Sequence, residues 1–172
     1  MKPIITIDHR VQLFAQPTDM TCWSAATTML FGNRMSVGAG GARLSRRGGL
    51  NGSYQNIGAF ARAHGLTIHA PQSWHVHRLI ELLRNGPVVM MGHRPTGHAV
   101  VIGAVESDGT PERTYLKIFD PWPVNSGLIR RRMPYDVMMR KYPMTTRYML
   151  QRPGAVRSHS FSENLFSGTF SN

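Results

Sequence analysis

An α+β fold is predicted for this chain from three observations. Apolar spacing is helical through the first half, it becomes strand-like from about residue 88, and the strand-like runs are separated by turn residues suited to antiparallel pairing. At 172 residues the chain fits one domain, large enough to bury a core without disulfides or bound metal. Its single cysteine, Cys22, excludes an intrachain disulfide.

In chain order, residues 4–15 read as an extended lead-in, with Ile4, Ile5, Val11, Leu13 and Phe14 apolar. A helix follows from Cys22 to about Phe31, with Ala25, Ala26, Met29 and Leu30 at helical spacing and Gly32 as its stop. Residues 32–52 are rich in Gly, Arg and Ser and lack apolar periodicity, so a long mobile loop is expected. Its glycines do not read as a phosphate cradle, because no strand precedes them and no Gly-Lys-Ser/Thr follows. Two short helices are expected next. One carries Tyr54, Ile57, Phe60 and Ala61 and ends at Gly65; the other carries Val76, Leu79, Ile80, Leu82 and Leu83 and ends at Asn85-Gly86. Three strands are then predicted at Val88–Met91, His98–Ile102 and Tyr115–Phe119. A short helix at Tyr135–Tyr142 and a last strand at Thr146–Leu150 complete the domain, placed at residues 1–152. Residues 153–172, polar and rich in Ser and Asn, are expected to form a flexible tail.

The net charge is +11, carried almost entirely by arginine, since Lys2, Lys117 and Lys141 are the only lysines. Such a balance favours acidic partners. No helix-turn-helix, zinc-finger, RNA-binding or Walker pattern accompanies it, so no specific nucleic-acid ligand is expected. No apolar run approaches the ~18 residues needed to span a bilayer, and no membrane partner is expected. The N-terminus lacks the apolar stretch of a signal peptide. With one cysteine and no His-Glu-x-x-His pattern, neither a metal nor a cofactor is expected; His75 and His77, two apart on a helix, diverge. The eleven methionines, Met133, Met138 and Met139 among them, read as core filler or adaptable surface.

Cys22 is the most informative residue. A lone cysteine is either a small buried hydrophobe or a reactive thiol. Its place in a first helical turn, where the dipole favours negative charge, suits a nucleophile. The second and third strands form a hairpin around Ser107-Asp-Gly109-Thr-Pro111. Pairing symmetric about Gly109 would set His98 opposite Asp120 and on the same face. The carboxylate would then orient the imidazole, leaving its other nitrogen to take a proton from a thiol. His93, five residues before His98, is the alternative base, without a matching carboxylate. Gln16, six positions before Cys22, could return an amide to hold an oxyanion together with the Cys22 backbone N–H, or could be an ordinary loop residue. Trp23 and Trp122 stand beside the nucleophile and the carboxylate and either wall a substrate cleft or pack the core.

Gln16-x5-Cys22-Trp23, Gly97-His98-Ala99-Val100 and Phe119-Asp120-Pro121-Trp122 together resemble the papain-like cysteine peptidases. The resemblance spans residues 12–122. It is closest to the bacterial branch containing the AvrRpt2-type effector peptidases and the bacteriocin-processing peptidase domains. It implies a thiol peptidase in which a helix carrying Cys22 packs on an antiparallel sheet carrying His98 and Asp120. By the same resemblance Cys22 is the nucleophile, His98 the base and then acid, Asp120 the orienting residue and Gln16 the oxyanion donor. It further implies a protein substrate, with paired glycines as a candidate cleavage site. A secreted effector or toxin is implied as well, acting in the cytoplasm of a target cell and accompanied by an acidic cognate inhibitor, an immunity protein. The same triad can instead deamidate or transamidate glutamine, or cut peptidoglycan amides, and the scaffold can serve as a binding module.

Overall fold

The computed structural model describes residues 3–32, 35–92 and 97–154. Its elements are β1 (Ile5–Asp8), α1 (Cys22–Phe31), α2 (Tyr54–Ala63), β2 (Thr67–His69), α3 (Val76–Arg84), β3 (Val88–Gly92), β4 (Ala99–Ser107), β5 (Thr114–Asp120), β6 (Leu128–Pro134), α4 (Tyr135–Lys141) and β7 (Arg147–Gln151). All strand pairings are antiparallel, and the fold is α+β. The sheet order is β2-β7-β3-β4-β5-β6, with β1 pairing the Ala104–Ser107 end of β4 beyond the reach of β3. The residues 155–172 of the predicted tail lie outside the described residues.

Helices cover both faces of this sheet. On one face Ala26, Met29 and Leu30 of α1 and Ile57 and Phe60 of α2 pack with Val89, Met91, Val101 and Phe119. On the other, Leu79, Ile80 and Leu83 of α3 and Met138 of α4 pack with Val88, Met90, Val100 and Ile102. A strand buried on both sides has no polar face, and this is why β3 reads Val-Val-Met-Met rather than alternating. Each aliphatic side chain so buried contributes roughly 1.5–3 kcal/mol.

Nine of the ten residues of α1 are buried. The helix therefore carries no polar stripe, and its hydroxyls bond inward. Thr27 and Thr28 donate to the carbonyls of Trp23 and Ser24, each at 2.7 Å. Gly32 closes α1 in the left-handed conformation, at φ 65°, where a side chain would be strained.

Two sequence expectations are corrected. The segment after α1 is tied down where residues 35–52 are described. Val37 donates to Thr28 Oγ1 at 3.0 Å and its carbonyl accepts from Ser24 Oγ, while Gly48 O accepts from Trp23 Nε1 at 3.0 Å. Asn56, in the first turn of α2, accepts from Arg43 N–H at 2.7 Å and donates to Arg43 O and Asn51 O. Side chains of the two helices thus replace the missing apolar periodicity as the ordering force. The hairpin, second, is not centred on Gly109. Ser107 pairs Thr114, and a 3-10 turn at Pro111–Arg113 adds residues on the β5 side. The register shifts again between Ile102 and Ala104, leaving Val101 opposite Phe119. Extended one step, Asp120 falls beside Val100, two residues from His98. An even offset keeps both residues on one face, and a diagonal pair lies within reach of long side chains.

Candidate active site

The site forms where the first turn of α1, the residues entering β4 and the end of β5 meet. Cys22 opens α1 at 8 % exposure, its Sγ 3.9 Å from the Gly97 carbonyl oxygen. Thr21, at the cap position, bonds its hydroxyl to Thr18 O and makes no side-chain cap to the helix. The first-turn amides are therefore not covered by that side chain.

His98 Nε2 lies 2.7 Å from Asp120 Oδ1, the diagonal pair closing across the hairpin. The same carboxylate oxygen accepts the Trp122 N–H at 3.0 Å, and Oδ2 accepts the Tyr142 hydroxyl at 2.8 Å. Burial alone would raise the Asp120 pKa, but hydrogen bonds from His98, Trp122 and Tyr142 together with the His98 charge hold it below its ordinary value. An ionised Asp120 can only accept, so His98 Nε2 carries a hydrogen and Nδ1 is the nitrogen left for a proton from outside. Burial would lower His98, yet its hydrogen bonds with Asp120 and Cys22, and their negative charge, raise it to about 9. Tyr142 stays neutral, pushed up to about 12 by burial and by the Asp120 charge beside it.

Gln16 is completely buried, its backbone N–H bonded to Pro121 O and its carbonyl accepting from Asn125 N–H. These bonds staple the lead-in to the loop that follows Asp120. Its Nε2 donates to Thr18 O at 2.8 Å, while Oε1 is buried without a partner. The amide is half satisfied within the protein.

A family profile described as papain-like cysteine protease AvrRpt2 matches residues 3–133. The chain belongs to that family. It is a papain-like cysteine protease, a hydrolase. No curated protein matches the chain significantly.

The two tryptophans of this protease have different places. Trp23 is 6 % exposed, its ring edge-on to Phe60 at 5.6 Å, and belongs to the core. Trp122 is 46 % exposed and borders a cavity of about 690 Å³ that also touches His98 and Asp120. His93, the alternative base, lies outside the described residues. Among the described residues no three His, Cys, Asp or Glu side chains gather to hold a metal ion, and no helix is long and apolar enough to cross a membrane.

Two side chains at the protease site were not singled out from sequence. Tyr142 bonds Asp120 as described, and Arg147 Nη1 donates to the His98 carbonyl at 2.6 Å. Arg147 is 6 % exposed, and burial pulls its pKa down while polar neighbours, Asp120 among them, oppose that. Gly92 makes the approach possible, because a Cβ there would stand 2.8 Å from Arg147 Nη1. The one available signal was a charged residue opening the otherwise apolar run Arg147-Tyr-Met-Leu, a buried cation that requires partners.

Proposed function

We propose that this protease cuts peptide bonds in a protein substrate through a Cys22–His98–Asp120 triad. The observation that carries the reading is His98 held at 2.7 Å by an ionised, triply hydrogen-bonded Asp120, with Cys22 Sγ 3.9 Å from the carbonyl of Gly97, the residue before His98. The thiol proton passes to His98 Nδ1, and the thiolate attacks the scissile carbonyl. The Cys22 backbone N–H and the second hydrogen of Gln16 Nε2, whose first goes to Thr18 O, hold the oxyanion. The tetrahedral intermediate collapses as the imidazolium protonates the departing amine, leaving a thioester. Water, deprotonated by His98, then releases the acid and restores the thiol.

A preference for small residues, paired glycines above all, is part of the proposal. With Trp23 in the core, Trp122 is the ring that would narrow the cleft. The AvrRpt2 name of the family suggests a secreted effector or toxin of bacterial origin, and action in the cytoplasm of a target cell is part of the same proposal. The +11 charge suits an acidic immunity protein as its inhibitor.

The test is a proteome-wide search for new N-termini generated by the unaltered chain and by Cys22→Ala. Termini that appear only with the unaltered chain, and equally fail with His98→Ala, support the triad. Termini unchanged by Cys22→Ala would sink it. On peptides, replacing either glycine of a Gly-Gly site by Leu should slow cleavage at least tenfold, about 1.4 kcal/mol in the barrier.

A further inference from the structure

The cavity beside His98 is cationic. Arg130, Lys141 and Arg147 line it, with Trp122 and Leu128 as apolar flanks. The carboxylate on its wall, Asp120, already receives His98, the Trp122 N–H and Tyr142. Arg130 Nε and Arg147 Nε are both buried without an acceptor, and Arg147 as a whole is 6 % exposed. These Nε atoms are closed to solvent, so what the cavity offers a ligand is the positive charge of the two guanidiniums and of Lys141, and a carboxylate is the group such a wall attracts. Leu128 and Trp122, 41 % and 46 % exposed, offer apolar contact to the stem of such a group.

The direction of the substrate follows from the proposed chemistry, on which this inference rests. His98 gives its proton to the leaving amine, so the segment beyond the scissile bond runs out past His98 and Asp120, two of the residues that line the cavity. We propose that this cavity is a specificity site for an acidic side chain, Asp or Glu, within the first three residues after the cleaved bond. Arg130 and Lys141 attract the carboxylate, and Arg147 sets the charge at the inner end while positioning His98 through its carbonyl. The site also gives part of the chain's excess positive charge a use in recognition.

The experiment is a cleavage profile on peptides from a whole-proteome digest, read by mass spectrometry. The unaltered chain should show Asp or Glu enriched at least threefold over library frequency at one of the three positions after the cut. On the best-cut peptide, exchanging that residue for its amide should lower kcat/KM about tenfold. Lys141→Gln, at an exposed position of α4, and Arg130→Gln should each bring the acid-to-amide ratio of kcat/KM towards one, and Arg130→Lys should keep part of it. Cuts with no acidic enrichment at any of the three positions, or a ratio unmoved by both variants, would overturn the inference and leave the peptidase reading standing. Cuts clustered at a fixed distance from peptide C-termini would reveal a terminal carboxylate as the ligand and overturn the side-chain assignment. No cuts in any peptide would overturn the peptidase reading and this inference with it.

Discussion

At the scale of single residues the site is governed by one carboxylate and what it does to a histidine. The raised pKa of His98, about 9 against 6.5, means the charged ring is favoured in the folded state. Its contribution to stability is complete below pH 6.5 and is lost as pH rises towards 9. Asp120 has the opposite sense: its lowered pKa stabilises above 3.8 and the gain is lost as pH falls through the depressed folded value. The stability difference between the unaltered chain and His98→Ala, measured by urea unfolding, should therefore be largest between about pH 4 and 6.5 and shrink towards pH 9. Under the proposed mechanism, activity should show an alkaline limb near pH 9, where the imidazolium proposed to protonate the leaving amine is lost. Gln16 yields a second prediction. Removing one oxyanion donor lowers kcat on the order of 10²–10³-fold, so under the role proposed for Gln16 the variant Gln16→Ala should do so with KM little changed. An equal change in KM alone would assign the amide to binding instead.

At the scale of elements, polar side chains do the ordering where apolar ones are sparse. Asn56 holds the backbone of Arg43 and Asn51 with three hydrogen bonds, and α2 is itself capped by Ser53 Oγ accepting the Asn56 N–H. Asn56→Ala leaves these backbone groups without their partner, at a cost of roughly 1–3 kcal/mol for each that water cannot reach. It should lower stability by a few kcal/mol and raise amide exchange across residues 43–51, with α3 and β3 on the opposite side protected as before. Exchange unchanged in that segment would show that the Leu44–Leu50 bridge holds it without Asn56. The edge strands follow the same logic. β6 carries Arg130-Arg131-Arg132 and β2 has three residues, the short or charged form that blunts an edge against pairing with other chains.

For the molecule as a whole, the sheet is closed by β7, which lies between β2 and β3 although it is the last strand in the chain. It brings Arg147 against His98, and Gln151 donates to Leu82 O and Gly86 O at the end of α3. The fold therefore needs the chain as far as residue 151. A chain ended after Gly154 should unfold at the temperature of the full one and retain its activity, checked by calorimetry and peptide cleavage. One ended after Tyr142 should fail to fold, because removing β7 exposes the inner edge of β3 and both cores lose residues such as Met149 and Leu150.

Much of this was legible in the sequence, for local reasons. The helix from Cys22, its stop at Gly32, the two helices after it and the strand at Val88 follow from apolar spacing and turn residues. The order Gln16, Cys22, His98, Asp120 carries the family resemblance. β2 and β6 were not legible, because edge strands buried on one side or neither lack a continuous apolar run. Nor were the three layers, since the same Val-Val-Met-Met run fits a strand covered on both faces or a buried helix segment. Tertiary structure alone decided the hairpin register, which depends on a 3-10 turn and a shift near Gly103 that no pattern announces. It also decided Trp23 for the core and Trp122 for the cavity, and it brought Tyr142 to Asp120 and Arg147 to His98 across gaps of 22 and 49 residues. Periodicity reports neighbours along the chain, whereas a buried charge finds its partners by whichever strands the sheet places side by side.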